Sequence, residues 1–253
     1  NYINGFCELI LGLIKNRSTL KINLNDLNFI YTVEVKDEKH LLSEKINWVK
    51  FENVSKNRNG RLMCQRVNSV IKNNTVVTGP SGVGKSTLFK ILEGQFRDYL
   101  GNVFINDKNI KDISRKSLKE KIFYLGQYDY LYTDTVFENI KLFKEIDLKK
   151  FAQLGLMKIL IDHNIMIDKR IKNNGANLSK GQRQIINFMS TFFIQRDLFI
   201  IDESLSNVDE VTAEKLLNIF SYLHQNSLII FCTHNSQFKK YYHHQLEVTQ
   251  WNE

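Results

Sequence analysis

The sequence predicts an α/β fold whose sheet is parallel at least in its core, because short apolar segments alternate with longer segments of helical periodicity. The segments expected to form strands, each dominated by apolar residues, are 103–106, 122–125, 198–202 and 228–232. The segments with helical periodicity are 136–163, 180–195 and 210–224. The sequence contains no internal repeat and no low-complexity tract.

The first 45 residues differ from the rest of the chain in their pattern of apolar and charged side chains. Residues 1–31 carry apolar side chains at intervals of three and four, which predicts one long helix of ~45 Å. A two-chain coiled coil, or a helix lying on the domain, would give the same pattern. Residues 32–45 are charged and lack a sustained period, so we expect a linker there. Because the chain begins with Asn1 rather than Met, we expect a piece of a longer protein.

Chain length and net charge limit the classes of protein to which this sequence can belong. A chain of 253 residues has room for one large domain, or for one domain with an appendage. A net charge of +8 fits a nucleic-acid binder, and equally a domain that faces anionic lipid or nucleotide. We expect no nucleic-acid partner, because the sequence lacks an arginine-rich patch with interleaved aromatics. Cys7, Cys64 and Cys232 lack metal-ligand spacing, which indicates reduced cytosolic thiols. The sequence also lacks a signal peptide and an apolar run long enough to span a bilayer.

Residues 46–54 alternate between apolar and polar side chains, and residues 61–71 predict another strand pair. A short buried strand then runs into a glycine-rich turn, where Gly79, Gly84, Lys85 and Ser86 fit the P-loop pattern GxxxxGK[ST]. Glycines allow the positive φ angles that turn successive N–H groups toward phosphate. Lys85 should reach the β- and γ-phosphates, and the Ser86 hydroxyl should ligate Mg²⁺. The alternative is a purely structural turn.

The strand predicted at 198–202 ends in an acidic pair, Asp202 and Glu203. Ligands bind at the carboxyl ends of strands in open α/β sheets, so this pair is expected to face a site. Asp202 would hold Mg²⁺ directly or through water, and Glu203 would polarise the attacking water. Taken alone, such a pair is more often a helix cap; the P-loop upstream favours catalysis.

A second anion site is predicted where NLSKGQRQ, residues 177–184, gives way to a helix. Backbone N–H groups at a helix start lack intrahelical partners and favour an anion. The sequence therefore predicts two phosphate-binding segments far apart in the chain.

Together these segments resemble the nucleotide-binding domain of ABC transporters. FIIDE resembles its Walker B motif, Gln127 its Q-loop glutamine, and His234 its switch histidine. Residues resembling Walker A are Gly79, Pro80, Ser81, Gly82, Val83, Gly84, Lys85, Ser86 and Thr87. Residues resembling the signature motif are Leu178, Ser179, Lys180, Gly181 and Gln182, and those resembling the D-loop include Ser206 and Asp209. The motifs follow the family's order over about residues 46–240.

The resemblance implies a P-loop NTPase core with a mixed, largely parallel sheet, an antiparallel β subdomain and a helical subdomain that carries the signature. It implies ATP and Mg²⁺ as cofactors, with Ser86, Gln127 and Asp202 at the metal and Glu203 and His234 in catalysis. It also implies a head-to-tail dimer with a second ABC ATPase domain, in which the signature of one domain caps the γ-phosphate bound to the other.

A subtype is indicated by residues 133–140 and 170–184, which are similar to stretches of bacterial peptide and bacteriocin exporters. For such exporters, residues 1–45 would be a stalk helix, the cytoplasmic end of the last transmembrane helix, plus a linker. Residues 46–253 would be the ATPase domain on the cytoplasmic face of the cell membrane, with a transmembrane domain upstream on the same chain. The alternatives are a soluble ABC ATPase acting on nucleic acid or ribosomes, and an importer ATPase subunit.

The sequence departs from the family pattern at three places. The aromatic residue that stacks on adenine is replaced, and Lys56 or Arg58 occupies its register; we expect Arg58 to stack on the base. Lys180 stands at the signature's middle glycine. The glutamate shortly before the signature is replaced by Lys172 or Asn173. Structural roles are expected for the remaining histidines, which are His40, His163, His224, His243 and His244.

Overall fold

The computed structural model describes residues 40–58, 61–127, 130–142, 144–234 and 244–248, without the side chains of Arg58, Arg61 and Glu247. The helix predicted over residues 1–31 lies outside the described residues, and so do residues 32–39 of the predicted linker. The end of that linker packs on the domain: Leu42 is buried, and its N–H donates to the Ser117 hydroxyl at 2.7 Å.

An antiparallel sheet of four strands forms the first layer, in the order β2-β1-β4-β5. Its strands are β1 (Val49–Arg58), β2 (Arg61–Ile71), β4 (Leu100–Ile105) and β5 (Lys108–Asn109). The segment 61–71 is one long strand paired with β1, rather than a strand pair. Val49 and Phe51 of β1 are buried, and so is Val54 beyond a register shift in the pairing with β2, as expected of a sheet with one covered face.

A parallel sheet of five strands forms the second layer, in the order β6-β7-β8-β3-β9. Its strands are β3 (Thr75–Thr78), β6 (Ile122–Leu125), β7 (Leu198–Asp202), β8 (Leu228–Cys232) and β9 (His244–Glu247). Every residue of β7 and β8 is buried, which explains their unbroken apolar runs. The predicted α/β class and parallel core are confirmed; in the described chain the antiparallel strands form a sheet of their own.

Seven α-helices accompany the sheets in the described residues. They are α1 (Lys85–Leu92), α2 (Arg115–Lys121), α3 (Val136–Lys141), α4 (Leu148–Gln153), α5 (Leu156–Asp162), α6 (Lys180–Met189) and α7 (Glu210–Leu223). Single 3₁₀ turns lie at Ile110–Asp112 and Asn173–Gly175. No helix of the described chain combines the length and apolarity needed to cross a bilayer.

The helical pattern over 136–163 is divided among three helices. Leu142 ends α3 in the left-handed region at φ 46°, Asp147 caps α4, and Gly155 begins α5 at φ 74°. The apolar positions of all three helices still enter one core, together with α6 and one face of the parallel sheet. The predicted helical segment thus holds three helices whose ends the pattern did not predict, because periodicity records which side chains are buried and not where the backbone breaks.

The parallel arrangement decides where functional side chains meet. Strands β3, β6, β7 and β8 end at the same edge of the sheet, so the segments that follow them lie next to one another. Those segments are the glycine-rich turn at 79–84, Gln127, the acidic pair and His234.

Candidate functional site

The turn after β3 has the backbone that its glycines were predicted to allow. Gly79, Gly82 and Gly84 have φ angles of 145°, 83° and 100°. A Cβ at position 79 would lie 2.1 Å from the carbonyl oxygen of Val248, and one at position 84 would lie 2.2 Å from that of Met63. Any larger residue at these two positions would therefore have to push backbone atoms aside.

Lys85, the first residue of α1, reaches back to this turn with its ammonium and is 5% exposed. Its Nζ donates to the carbonyl oxygens of Gly79 at 2.7 Å and Pro80 at 2.9 Å. Gly84 precedes α1, and no side chain caps the helix there. A buried ammonium and an uncapped helix start present positive potential at one point, which favours a phosphate group.

A cavity of about 310 Å³ opens beside this turn. It brings the P-loop together with Gln127 and Glu203, which follow two other strands. The lining residues are Met63, Ser81, Gly82, Gly84, Lys85, Ser86, Thr87, Gln127 and Glu203. Of the other predicted P-loop residues, Pro80 contributes its carbonyl to Lys85, and Val83 packs against the core between the sheets.

Asp202 ends β7, directly before the cavity residue Glu203, and is fully buried. Its Oδ2 accepts a hydrogen bond of 2.9 Å from the Tyr124 hydroxyl. Its Oδ1 has no N–H or O–H donor within hydrogen-bonding distance among the described residues. Burial, followed by the negative charge and hydrogen-bond acceptance of Asp202, raises the pKa of Tyr124, so the phenol remains a donor.

Glu203 and His234 are in direct contact. The Oε1 of Glu203 lies 2.6 Å from Nε2 of His234, and the same nitrogen lies 3.4 Å from the Ser81 hydroxyl. Glu203 has φ 53°, and its N–H donates to the Cys232 carbonyl at 3.0 Å. A left-handed conformation at a residue other than glycine is costly, and such strain is concentrated at functional sites. Both predicted catalytic residues thus lie beside the P-loop.

The segment 177–184 begins α6 with a capping box. The Ser179 hydroxyl accepts from the Gln182 N–H at 3.1 Å, and the Gln182 Oε1 accepts from the Ser179 N–H at 2.9 Å. Ser179 and Lys180 are exposed, while Leu178 is buried in the core. None of these residues is among those that line the P-loop cavity of their own chain. The second anion site stays a prediction, and the segment predicted to form it lies apart from the P-loop cavity of its own chain.

Gln184, whose role sequence reasoning missed, joins this segment to residues 206–209. Its Nε2 donates to the Ser206 hydroxyl at 3.2 Å, and its Oε1 accepts from the Asn207 N–H at 2.7 Å. Gly181 lies so close to the same loop that a Cβ there would be 2.6 Å from the Asn207 carbonyl oxygen. In the sequence, Gln184 is a polar residue at the fifth position of the predicted helix, and its neighbours along the chain do not indicate that it is buried.

Asp209 caps α7 by accepting from the Thr212 N–H at 3.0 Å. Its Oδ2 lies 3.4 Å from Nε2 of His163, which also contacts the Thr212 hydroxyl at 2.8 Å. Burial opposes ionisation of Asp209, but the Thr212 hydrogen bonds and His163 outweigh it and lower the pKa of this carboxyl. The Gln182 side chain in turn donates to the His163 carbonyl. His163 thus has the structural role expected of it, linking residues 179–182 to Asp209.

A comparison with known families decides what these motifs belong to. The sequence model described as "ABC transporter" matches residues 64–206, which is more than half of the 253 residues. The chain belongs to the ABC transporter family. The resemblance drawn from the motifs is confirmed, and the described residues form an ABC-type ATPase domain.

Curated relatives of this ABC ATPase domain include McjD of Escherichia coli, a microcin-J25 export ATP-binding/permease protein. It is 33% identical over 162 residues, which are 62% of this chain and 28% of McjD. PedD of Pediococcus acidilactici, a pediocin PA-1 transport/processing ATP-binding protein, is 29% identical over 250 residues, which are 90% of this chain and 33% of PedD. The chain therefore spans about a third or less of the length of these relatives.

Among solved structures, a bacterial Atm1-family ABC exporter with ATP bound matches this domain with a TM-score of 0.77. The match covers 92% of this chain and 44% of that chain at 20% identity. At this identity the likeness shows that the two share a fold.

The residues of the ABC ATPase domain fit a magnesium ion. Ser86 and Gln127 line the same cavity as Lys85, and the Oδ1 of Asp202 is a buried oxygen without an N–H or O–H donor. Magnesium takes oxygen ligands and keeps several waters, so a hydroxyl, an amide oxygen and a carboxylate are a suitable set.

Lys56 and Arg58 are the two residues predicted for the position at which the ABC family stacks an aromatic ring on adenine. Lys56 is 5% exposed, and its ammonium pairs with Asp98 at 2.5 Å and lies 5.6 Å from the centre of the Phe96 ring. It is thus engaged within the domain. The side chain of Arg58 lies outside what the structure describes, so its stacking stays a prediction.

Proposed function

We propose that this chain is the ATPase domain of an exporter, which hydrolyses ATP to power transport of a peptide substrate across the cell membrane. The observation that carries the proposal is the arrangement around one cavity, where Lys85, Ser86, Gln127 and Glu203 converge; the buried Asp202 directly precedes Glu203. Phosphoryl transfer requires positioning and charge stabilisation more than covalent chemistry, and these groups provide both.

The division of labour within the site follows from the contacts. Phosphate groups would bind the N–H groups of residues 82–87 and the Lys85 ammonium, which would exchange a loop carbonyl for a phosphate oxygen. Ser86, Gln127 and Asp202 would hold Mg²⁺, which neutralises phosphate charge when bound. Glu203 would orient and polarise the attacking water, and His234 fixes that carboxylate through its contact of 2.6 Å.

The exposed helix start at Ser179 supports a dimeric mechanism. Lys180 and the start of α6 lie outside the cavity of their own chain, so they are accessible to a nucleotide bound elsewhere. A second ABC ATPase domain packed head to tail would bring its γ-phosphate to this point. Residues 206–209 would lie in the same interface, because Gln184 ties them to the signature helix.

The exporter part of the proposal rests on the relatives. McjD and PedD carry export or transport of a microcin and a pediocin in their names, and both are much longer than this chain. By analogy, a transmembrane domain would precede this ATPase domain on the same polypeptide, with the ATPase on the cytoplasmic face of the membrane. The alternatives, a soluble ABC ATPase and an importer subunit, gain no support from these relatives.

Two variants of the chain test the hydrolytic role. Glu203→Gln should bind ATP and nearly abolish turnover, since the amide cannot polarise water, whereas Lys85→Ala should lose ATP binding itself. Binding is measured with a fluorescent ATP analogue and turnover by phosphate release. Hydrolysis at the wild-type rate by Glu203→Gln would show that another group activates the water.

A further inference from the structure

Cys232 lies at the end of β8, directly beside Asp202 in the parallel register of β7 and β8. It is fully buried and is a free thiol. Its sulfur and one carboxylate oxygen each from Asp202 and Glu203 all lie within 4.8 Å of one another. The carboxyl ends of two neighbouring strands thus place one soft and two hard ligand atoms around a single point.

A second observation indicates that this cluster is open to a ligand. Asp202 is fully buried and hydrogen-bonds with Tyr124 and with the Cys232 thiol, yet its Oδ1 lacks an N–H or O–H donor among the described residues. The Glu203 carboxylate contacts the imidazole of His234 at 2.6 Å, which brings a nitrogen donor to the edge of the cluster. Sulfur, nitrogen and carboxylate oxygen are the donors that zinc takes in proteins.

We propose that Cys232, Asp202 and Glu203 form a site for a thiophilic divalent cation of the zinc type, and that its occupation inhibits ATP hydrolysis. Magnesium takes oxygen ligands, whereas zinc and cadmium bind thiolate strongly. The cysteine therefore raises the affinity of the site for zinc and cadmium but not for magnesium. Zinc-to-sulfur and zinc-to-oxygen bonds are about 2.3 Å and 2.0–2.2 Å long, so the three side chains, whose ligand atoms lie within 4.8 Å of one another, would draw together around the ion. The thiol proton passes to solvent as the metal–sulfur bond forms.

Inhibition follows because the cluster shares two groups with the catalytic site. A cation held by Glu203 removes the carboxylate that would polarise water, and one held by Asp202 competes with Mg²⁺. ATP binding through Lys85 and the P-loop should persist. This inhibitory part rests on the proposed ATPase function, whereas binding of the metal does not.

Cadmium alone is the first probe, because a cadmium–thiolate bond gives an ultraviolet charge-transfer band. Titration of the chain should give a band at one equivalent that is lost in Cys232→Ser and in Cys232→Ala. Cys64→Ser, which changes the other described buried thiol, is the matched control and should keep the band. Glu203→Gln should keep the band but require at least ~tenfold more cadmium. Circular dichroism shows whether each variant is folded.

Zinc inhibition is measured next, with each variant normalised to its own rate in the absence of zinc. At fixed Mg²⁺ and ATP, the zinc concentration for half inhibition should be at least ~tenfold higher in Cys232→Ser than in Cys64→Ser. A cadmium band that survives in folded Cys232→Ser and Cys232→Ala would overturn the site. A band lost in both, combined with equal zinc inhibition of all variants, would overturn the inhibitory role. If the chain failed to hydrolyse ATP, the cadmium titration would still decide the metal site.

Discussion

The hydroxyl of Tyr124 donates to Oδ2 of Asp202 at 2.9 Å, across the neighbouring strands β6 and β7. The bond is partly buried and fixes the rotation of the carboxylate, so that Oδ1 remains for a metal or its water. Tyr124 thus acts as a positioning residue through Asp202.

Tyr124→Phe should raise the Mg²⁺ concentration for half-maximal ATPase activity about tenfold, because loss of a hydrogen bond to a charged group frees the carboxylate to rotate. ATP binding without Mg²⁺ should be unchanged. The measurement is a Mg²⁺ titration at saturating ATP, with Tyr222→Phe, an exposed tyrosine on α7, as the control. An unchanged Mg²⁺ midpoint in Tyr124→Phe would remove the positioning role.

Gly181→Ala tests the close packing of the signature helix against residues 206–209. Alanine usually favours a helix over glycine, yet here its Cβ would lie 2.6 Å from the Asn207 carbonyl oxygen and displace that loop. We expect about a tenfold loss of ATPase activity with ATP affinity preserved. Gly155→Ala is the control, since its φ of 74° brings strain but no atom lies within 4 Å of the new Cβ. Equal activity in the two variants would contradict the prediction.

His224 gives the fold a pH dependence. It packs against Phe199 and Phe220 with ring centroids 4.3 and 4.6 Å apart, and Nε2 lies 3.1 Å from the Thr191 carbonyl. Its Nδ1 is buried without a hydrogen-bond partner among the described residues, so a second proton would be unpaired there. Burial lowers the pKa of His224 from 6.5 to about 4, and the Thr191 hydrogen bond opposes this only in part.

The direction in which His224 changes the stability with pH follows from which state, folded or unfolded, binds the proton. Between the two pKa values the unfolded chain binds a proton that the folded chain excludes, so this contribution is complete above pH 6.5 and is lost as pH falls toward 4. From pH 7 to pH 5 the loss is about 2 kcal/mol. Urea unfolding at both pH values should show that His224→Phe reduces the pH dependence by this amount, while His40→Gln, at an exposed histidine, does not. An unreduced slope in His224→Phe would place the acid sensitivity elsewhere.

The sequence predicts the role of a residue where that role depends on the residues next to it along the chain. The P-loop was predictable because its glycines satisfy a local backbone requirement, and the structure gives all three positive φ angles. The breaks at Leu142 and Gly155 were not, because apolar periodicity continues across them.

The partners of the catalytic acids were hidden for a similar reason. Tyr124 and Cys232 lie in apolar strands, so their sequence context predicts core residues. They reach Asp202 only through the register of β6, β7 and β8. Gln184 and His163 likewise act on residues far along the chain, through contacts that single-sequence patterns do not record.

Lys180 provides the last prediction, which concerns the interface between two domains. Its ammonium is exposed at the start of α6 and would add attraction for the γ-phosphate on a neighbouring domain. Lys180→Gly should therefore weaken ATP-driven dimerisation, most at low salt where screening is least. Lys180→Arg keeps the charge and should stay near wild type. If the salt dependence of dimerisation by light scattering is the same in both variants, Lys180 merely points into solvent.

Mixing protomers then separates the two anion sites. A Ser179→Arg, Lys180→Gly protomer should bind its own ATP, because its P-loop is intact, but fail to cap the nucleotide on its neighbour. A Lys85→Ala protomer has the opposite defect, since its signature is intact and its own ATP site is lost. Each alone should be nearly inactive, whereas a mixed dimer has one complete site, formed by the P-loop of the first and the signature of the second. ATPase activity should therefore peak at intermediate mixing ratios. Verified mixed dimers without any recovery would mean that residues 177–184 do not act on the neighbouring nucleotide, and that the α6 start serves its own chain alone.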